Sequence, residues 1–98
     1  MSEDRPEPRI VDNKAAHRYE VWVGDQRAGV ATYRERPGSV VFQHTEIDPA
    51  FEGHGVGGRL ARAALDDVRA RGLSVVPLCP FIAAYIASHP QYADLVAD

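Results

Sequence analysis

The sequence contains a single cysteine and no long apolar run, and these two shortages exclude several classes of protein. One cysteine cannot form an internal disulfide, and it is too few for a cysteine-based zinc cluster. No apolar stretch approaches the roughly 18 residues that a membrane-spanning helix needs. The first eight residues are charged and contain two prolines, without the apolar segment of a secretory signal. We therefore expect a reduced, cytoplasmic protein without a membrane partner.

An excess of basic residues is also missing. The net charge is −3, from 11 Lys and Arg against 14 Asp and Glu. A general nucleic-acid-binding protein needs a basic face, so this balance argues against a nucleic-acid partner. The 98 residues suffice for one hydrophobic core but not for two. We predict a disordered tail over residues 1–8, because it is charged and proline-containing, and a single domain over residues 9–98.

What the sequence does contain is a series of short alternating segments followed by a long helical pattern. Alternating segments between turn signals predict four antiparallel strands, over residues 9–13, 16–23, 27–34 and 39–47. Apolar residues at spacings of three and four then predict a helix over residues 55–71, with an apolar stripe of Val56, Leu60, Ala63, Ala64 and Val68. A strand buried on both faces (73–78), a helix (81–88) and a helical turn (91–96) complete the order. The predicted fold is α/β (α+β), with a single mixed, mostly antiparallel sheet and a βαβ unit.

A glycine-rich turn joins the fourth predicted strand to the long helix. The stretch 51–60 reads Phe-Glu-Gly-His-Gly-Val-Gly-Gly-Arg-Leu, with glycines at positions 53, 55, 57 and 58. Such a turn points unpaired backbone N–H groups at one spot and adds the positive end of the helix dipole. The missing Cβ atoms let a ligand approach the backbone closely. These properties are typical of a phosphate-binding site.

Three interpretations of the turn compete before any family is considered. Gly53, Gly55 and Gly58 fit the Gly-x-Gly-x-x-Gly pattern of dinucleotide-binding folds, but the next strand ends without the acidic residue that holds the ribose. A P-loop nucleotide hydrolase is excluded because the Gly-Lys-Ser/Thr sequence is missing. The glycines could also form a structural turn only, although four glycines in six residues at a helix start favour a phosphate site.

The sequence resembles a known family at this turn. Glu52-x-x-Gly55-x-Gly57, after a strand and before a helix, is similar to the Gln/Arg-x-x-Gly-x-Gly/Ala loop with which GCN5-related N-acetyltransferases bind the acyl-CoA pyrophosphate. Three further stretches look like the small YjdJ-type subgroup of that family: His-Thr-Glu-Ile at 44–47, Cys-Pro-Phe at 79–81 and Tyr-Ile-Ala-Ser-His-Pro-Gln-Tyr at 85–92. The resemblance covers about residues 10–96 and implies a truncated acyl-CoA N-acyltransferase fold.

The resemblance also implies how the cofactor binds. The amides of the turn would hold the CoA diphosphate, and the residues concerned are Gly53, His54, Gly55, Val56, Gly57, Gly58 and Arg59. Arg59 is interpreted equally well as a phosphate partner or as a solvated helix residue. The strand with Glu46 and Ile47 would pair through its backbone with the pantetheine arm. Cys79 would face the thioester, and Phe81 is interpreted as a core or cofactor-wall residue.

Four residues are candidates for the chemistry. Cys79 either takes the acetyl group as a thiolate or is a small buried apolar residue. Glu46 and His44 lie two residues apart, hence on one face of a strand, and either could be the base that deprotonates the amine. His44 is equally well interpreted as a hydrogen-bonded sheet histidine. In many members of the family, the counterpart of Tyr85 protonates the CoA sulfur.

The sequence departs from the family in two ways. Glu52 replaces the usual Gln or Arg, so the backbone amides must do most of the phosphate binding. The chain also lacks the segments that usually wall the acceptor site, so the groove should be open. The exposed sheet edge would suit a dimer, and we predict a monomer or a homodimer. We predict an acetyl-CoA-dependent N-acetyltransferase with an amine acceptor and no metal. The alternative is a non-catalytic acyl-CoA-binding or interaction domain.

Overall fold

A computed structural model describes residues 7–97. The predicted disordered tail falls mostly on residues 1–6, which lie outside the described residues, as does Asp98. Residues 7 and 8 belong to no helix or strand.

Within residues 7–97, one five-stranded sheet and two α-helices form the fold. The strands are β1 (Arg9–Asn13), β2 (Arg18–Val23), β3 (Gln26–Arg36), β4 (Ser39–Ile47) and β5 (Ser74–Pro77), and the helices are α1 (Val56–Ala70) and α2 (Pro80–Ser88). The strands lie in the order β1-β2-β3-β4-β5. Strands β1 to β4 form an antiparallel meander, and β5 pairs parallel to β4 after the α1 crossover. The predicted fold class, a mixed and mostly antiparallel sheet with a βαβ unit, is confirmed.

Both helices pack on one face of the sheet and share one hydrophobic core with it. The side of α1 that faces the sheet is buried from end to end, through Val56, Leu60, Ala61, Ala64, Leu65 and Val68. This stripe is wider than predicted and leaves Ala63 half-buried. Three aromatic residues of the sheet, Tyr19, Tyr33 and Phe42, belong to the same core, with ring centroids 5.2 to 6.3 Å apart. In the described part of the chain, no helix covers the opposite face of the sheet.

A network of charged and phenolic groups holds the C-terminal end of α1 against the sheet. Tyr19 donates a hydrogen bond to Asp67 at 2.6 Å, and Tyr33 donates one to Asp12. Burial, together with these carboxylates, raises the pKa of both tyrosines well above the usual range. Arg71 follows the helix and donates to Glu35 at 2.7 Å. This end of α1 is therefore fixed far from the glycine turn, which begins the same helix.

Strand β5 differs from its prediction. Val75 is fully buried, but its neighbours in the strand are only half-buried. The prediction of burial on both faces was wrong because β5 is the last strand of the sheet and has helices on one face only. Its outer edge is not open either: Ala97 donates its N–H to the carbonyl of Val75 at 2.8 Å, and Pro77 has no N–H to offer. The monomer-or-homodimer prediction therefore gains no support from this edge.

Candidate functional site

The glycine turn begins with a short 3-10 helix and ends as the first turn of α1. Asp48 accepts the N–H of Ala50 at 2.9 Å, which fixes the turn Pro49–Phe51. Gly53 and Gly55 then take φ angles of 83° and 76°, which L side chains rarely adopt. Gly55 precedes the first residue of α1, and no side chain caps this end of the helix. The turn thus depends on glycine at two positions, where a Cβ would meet no neighbour but the backbone would be strained.

The first amides of α1 are available to a ligand. The first intrahelical bond runs from the N–H of Arg59 to the carbonyl of Gly55, at 3.2 Å. The N–H groups of Val56, Gly57 and Gly58 precede it and have no acceptor within the helix. Together with the helix dipole they form a positive site for an anion. Val56 is buried, so it offers its backbone here while its side chain packs in the core; His54 and Arg59 are exposed.

A depression of about 410 Å³ lies between this helix end and the start of α2. Its lining includes the glycines at positions 53, 55, 57 and 58, together with Ile47 and Phe81. Phe81 packs so closely that a Cβ on Gly57 would lie 2.8 Å from its Cζ atom. Gly57 therefore has a packing role besides leaving the amides accessible. The depression therefore extends from the free amides at the start of α1 to the end of β4.

Strand β4 continues past the point where it pairs with β5. The parallel pairing ends at Phe42 and Pro77, and the N–H of Cys79 closes it with a bond to the carbonyl of Phe42 at 3.0 Å. Gln43 has no partner on β3, because His44 and Phe42 face consecutive residues of that strand. This bulge lies where β4 and β5 separate. From Gln43 to Ile47, β4 has no strand beside it on the β5 side among the described residues.

The bulge decides which way the candidate side chains point. Thr45 and Ile47 point to the helix side, where Thr45 Oγ1 lies 3.2 Å from Cys79 Sγ and Ile47 approaches Gly57. His44 and Glu46 therefore point to the opposite, uncovered face. There, His44 Nε2 lies 3.0 Å from Glu46 Oε2, with the two side chains 62% and 71% exposed. The two predicted bases thus form one solvent-facing pair.

Cys79 lies at the residue before α2, and only 2% of it is exposed. Pro80 is the first residue of the helix, as its position in the sequence predicts. The thiol belongs to the hydrophobic core, with the hydroxyl of Thr45 as its polar neighbour. A buried apolar role and a role at the thioester are both compatible with this position.

Tyr85 lies beside the glycine turn. Its ring stacks on His89, with centroids 3.8 Å apart, and a Cβ on Gly58 would lie 3.9 Å from its Cε1 atom. The depression that Tyr85 lines also contains Arg62, but it does not include Cys79. The role of Tyr85 as the acid for the CoA sulfur stays a prediction.

Sequence reasoning missed three residues of this region. Thr45 could not be found because nothing local indicates the bulge that turns it toward Cys79. Arg62 carried a signal, since it follows Arg59 by three residues on the same helix face. His89 has no recognisable partner in the sequence, and only the structure shows its ring stacked on that of Tyr85.

Comparison with known proteins agrees with this architecture. Residues 18–95 match the family described as GCN5-related N-acetyl-transferase. The chain belongs to this family. A GCN5-like protein from Staphylococcus aureus, solved by NMR, has the same fold: the TM-score is 0.68 at 21% identity, over 97% of this chain and 91% of that one. The fold of an acetyltransferase is therefore established. The assignment to a YjdJ-type subgroup stays a prediction.

Relatives of higher identity match only part of the chain. Protein NATD1 of Xenopus tropicalis is 38% identical over 58 residues, which are 57% of this chain and 53% of that protein. Protein NATD1 of Homo sapiens is 39% identical over 57 residues, 56% of this chain and 50% of its own length. The chain thus spans about half the length of the curated relatives it matches.

Two further features concern residues 7–97 only. No group of three or more His, Cys, Asp or Glu side chains in this range is arranged to hold a metal ion. None of its helices has both the length and the apolar character needed to cross a membrane.

Proposed function

We propose that this acetyltransferase-family domain transfers an acetyl group from acetyl-CoA to a primary amine. The observation that carries the proposal is the unpaired stretch of β4, which runs from Cys79 at one end to the glycine turn at the other. A long, flexible thioester with a phosphate at its far end fits this shape. Family membership supports acyl transfer in general, and the cofactor and the acceptor are inferred from the site.

The glycine turn would bind the diphosphate of CoA. The amides of Val56, Gly57 and Gly58 are free within the helix and point outward from its positive end. Glu52 cannot assist, because its carboxylate would repel the diphosphate. Arg59, exposed in the first turn of α1, supplies the opposite charge.

The free edge of β4 would hold the pantetheine arm. Asp48 donates its N–H to the carbonyl of Ala28 at 2.8 Å, which sets the alternation of the β3–β4 ladder. By that alternation, Glu46 bonds toward β3, whereas the N–H and C=O groups of Thr45 and Ile47 point to the open edge. These backbone groups are the right partners for the amides of a pantetheine chain. Phe81 and Ile47 provide the apolar wall beside it.

Acetyl-CoA, when bound, supplies an activated acetyl group at its thioester carbonyl. The residues of this chain then have three tasks: binding the arm, taking a proton from the amine, and returning a proton to the departing sulfur. In the transfer, a bond forms between the amine nitrogen and the carbonyl carbon, and the carbon–sulfur bond breaks. We assign the first proton to the pair of His44 and Glu46, which faces the uncovered side of the sheet. The acceptor would approach from that side.

Cys79 has two possible parts in this scheme. As a covalent nucleophile, its thiolate would take the acetyl group from the thioester and pass it to the amine, releasing CoA thiol in the first step. As a lining residue, it would only shape the end of the arm while the amine attacks directly. Its burial favours the lining role, and its contact with the Thr45 hydroxyl favours the covalent one.

Calorimetry with acetyl-CoA tests the proposal, with NAD as the comparator that also carries a diphosphate. We expect binding of acetyl-CoA in the micromolar range and none of NAD. A screen of amine acceptors with detection of the released CoA thiol follows. Failure to bind acetyl-CoA would contradict the proposal, and binding without turnover on any amine would favour a non-catalytic acyl-CoA-binding domain.

A further inference from the structure

The uncovered face of the sheet is more basic than the chain as a whole. Side chains alternate along a strand, so the strand register assigns residues to this face together with His44 and Glu46. The charged strand residues that share it are five arginines and two glutamates: Arg9, Arg18, Arg27, Arg34, Arg36, Glu20 and Glu46. Five positive charges against two negative ones leave this face with an excess of three positive charges, whereas the whole chain has a net charge of −3.

Most of these arginines have hydrogen-bond donors to spare. Within residues 7–97, no carboxylate oxygen lies within 4.0 Å of Arg9, Arg34 or Arg36. Arg27 Nη1 lies 3.9 Å from Glu20 Oε2, too far for a hydrogen bond. Glu20 already accepts hydrogen bonds from three other side chains. Several guanidinium groups with free donors on one face favour an anionic partner.

Carboxylates near the two ends of the strands decide where this charge is strongest. Asp25 and Asp48 lie in the turns beyond one end. At the other end, beside the hairpin between β3 and β4, Arg71 donates to the carboxylate of Glu35 at 2.7 Å. The positive charge of the face is therefore least compensated around Arg34.

A depression of about 480 Å³ borders Arg34 at this end of the sheet. Thr32 and Gln43 also line it, and Thr32 lies directly opposite His44 in the pairing of β3 with β4. The hydroxyl of Thr32 donates to the carbonyl of His44 at 3.3 Å. Arg34 follows Thr32 by two positions, roughly 7 Å along the strand. An anionic group held by Arg34 would therefore lie close to the pair of His44 and Glu46.

The basic face is larger than a small anion can use. Arg27 and Arg34 are seven positions apart on β3, roughly 20 Å along the strand. Arg9 lies two strands away on β1, roughly 10 Å across the sheet. An extended peptide of about six residues, at about 3.3 Å per residue, spans such a distance. One peptide segment can thus reach several of the arginines at once.

We propose that the amine acceptor is a lysine of an acidic polypeptide segment, which docks on the uncovered face with one of its carboxylates on Arg34. The inference rests on the proposed function, since it names the acceptor for the same transfer. The lysine nitrogen attacks the thioester carbonyl, its proton passes to the pair of His44 and Glu46, and CoA leaves as the thiol. A polypeptide brings both the amine and the carboxylates, whereas a nucleic acid has the negative charge but no aliphatic amine to acetylate.

Two peptides with blocked N-termini, which differ only around their single lysine, test the acceptor class. Glutamates flank the lysine in one and glutamines in the other, and release of CoA thiol gives kcat/KM for each. At low ionic strength we expect a preference of about tenfold for the acidic peptide, because several individually weak ion pairs add up. The preference should fall toward unity in about 1 M salt, where the screening length is roughly 3 Å.

Substitution of Arg34 tests the assigned contact. Arg34→Gln should lower the preference about threefold, through KM rather than kcat, and Arg34→Lys should keep most of it. Arg69→Gln is the matched control, since it removes an exposed arginine on the helix side of the sheet, where Arg69 pairs with Asp94 at 2.9 Å. It should leave the preference unchanged. Circular dichroism of each variant shows whether the fold is retained.

Docking can also be followed without turnover. Trp22 is the only tryptophan, is half-buried and lies opposite Arg9 and Arg27 on the same face. The acidic peptide with norleucine in place of lysine should change the tryptophan fluorescence at lower concentration than the glutamine peptide does. A single-stranded oligonucleotide of equal charge is the comparator. Tighter binding of the oligonucleotide than of the acidic peptide would overturn the assignment to a polypeptide.

Equal kcat/KM for the acidic and the glutamine peptide would overturn the inference while leaving the proposed function intact. Acetyl transfer to a small amine but to neither peptide would have the same meaning. Absence of transfer to every amine, whether or not acetyl-CoA binds, would overturn both the inference and the proposed transfer.

Discussion

The hydroxyl of Thr45 lies 3.2 Å from the thiol of Cys79, and this contact bridges the point where β4 and β5 separate. The two residues are 34 positions apart in the sequence: Thr45 belongs to β4, and Cys79 lies between β5 and α2. The thiol is otherwise enclosed by the hydrophobic core. When a thiolate forms, the hydroxyl is positioned to donate a hydrogen bond to it.

The first prediction follows from this contact. Thr45→Val keeps the shape of the side chain and removes the hydroxyl, so the Cys79 thiolate loses a hydrogen-bond donor. A net hydrogen-bond contribution of about 1 kcal/mol should make modification of the thiol about fivefold slower at a fixed pH. The rate of modification by a small methylating thiosulfonate reports on this one site, because Cys79 is the only cysteine. Thr32→Val, whose hydroxyl bonds to the carbonyl of His44 instead, is the control.

An unchanged modification rate in Thr45→Val would show that the hydroxyl does not act on the thiolate. The rate of acetyl transfer by the Cys79→Ala variant then separates the two mechanisms. A covalent route predicts loss of acetyl transfer with acetyl-CoA binding retained. Direct attack by the amine predicts that most of the activity remains.

The second prediction concerns the pair of His44 and Glu46. Glu46→Gln should lower kcat by about a hundredfold or more, the usual effect of losing a general base, and leave acetyl-CoA binding unchanged. Because the pair is exposed, its contribution to stability is at most about 1 kcal/mol, so lost activity would not reflect unfolding. His44→Gln should have a smaller effect of the same direction if His44 orients the carboxylate.

Asp25→Asn provides the comparison for this pair, since Asp25 is an exposed turn residue between β2 and β3. It removes the same charge and should leave kcat unaffected. A Glu46→Gln variant with wild-type kcat and wild-type binding would place the base elsewhere.

Strand β4 shows which features of this site the sequence predicts and which it does not. Its bounds, Ser39 and Ile47, were predicted to the residue, because a β-branched and aromatic run lies between two turn signals. Simple alternation, however, would put Phe42, His44 and Glu46 on one face. The bulge at Gln43 reverses the faces beyond it, and bulges arise from pairing with a neighbouring strand rather than from local sequence. The contact between Thr45 and Cys79 was therefore not predictable.

Helix positions were more predictable than their surroundings. The glycine turn and the start of α1 follow directly from the order of glycines and apolar residues. The partners of α2 do not: the stacking of Tyr85 on His89 is local, but its position beside Gly58 depends on how α2 packs across α1. Likewise, the apolar run of β5 predicted burial on both faces, whereas its real exposure depends on its place at the end of the sheet.

The third prediction compares two adjacent glycines of α1. Gly58→Ala should raise the free energy of unfolding by about 0.5 to 1 kcal/mol, because alanine is the better helix former and its Cβ would make only an ordinary contact with Tyr85. Gly57→Ala should raise the free energy of unfolding by less than Gly58→Ala does, or lower it, because its Cβ would lie 2.8 Å from Phe81 Cζ. Urea unfolding of both variants measures the difference.

Removing the obstructing ring provides the control for this pair. The effect of Gly57→Ala measured in a Phe81→Leu background should approach that of Gly58→Ala, since the shorter side chain leaves room for the methyl group. If Gly57→Ala were as stabilising as Gly58→Ala in the wild-type background, the close packing of Phe81 on Gly57 would be contradicted.

The fourth prediction concerns Glu20, a charged residue with only 5% of its surface exposed. Burial alone would raise the pKa of this carboxyl, but hydrogen bonds from Asn13, Arg18 and Trp22 outweigh burial and lower the pKa to about 2. Glu20→Gln should lower the free energy of unfolding at neutral pH by about 2 kcal/mol, since it replaces a charge-assisted acceptor with an amide. Chemical unfolding at pH 7 measures this loss.

The same carboxylate makes stability depend on pH in a defined window. A group whose pKa is lower in the folded state contributes stability that is fully present above its unfolded pKa and is lost as pH falls through its folded pKa. For Glu20 the loss should therefore occur between about pH 4.5 and about pH 2. Unfolding of the wild type and of Glu20→Gln, followed over this range, should converge as the pH falls. A constant difference between the two proteins down to pH 2 would mean that the carboxylate charge does not stabilise the fold.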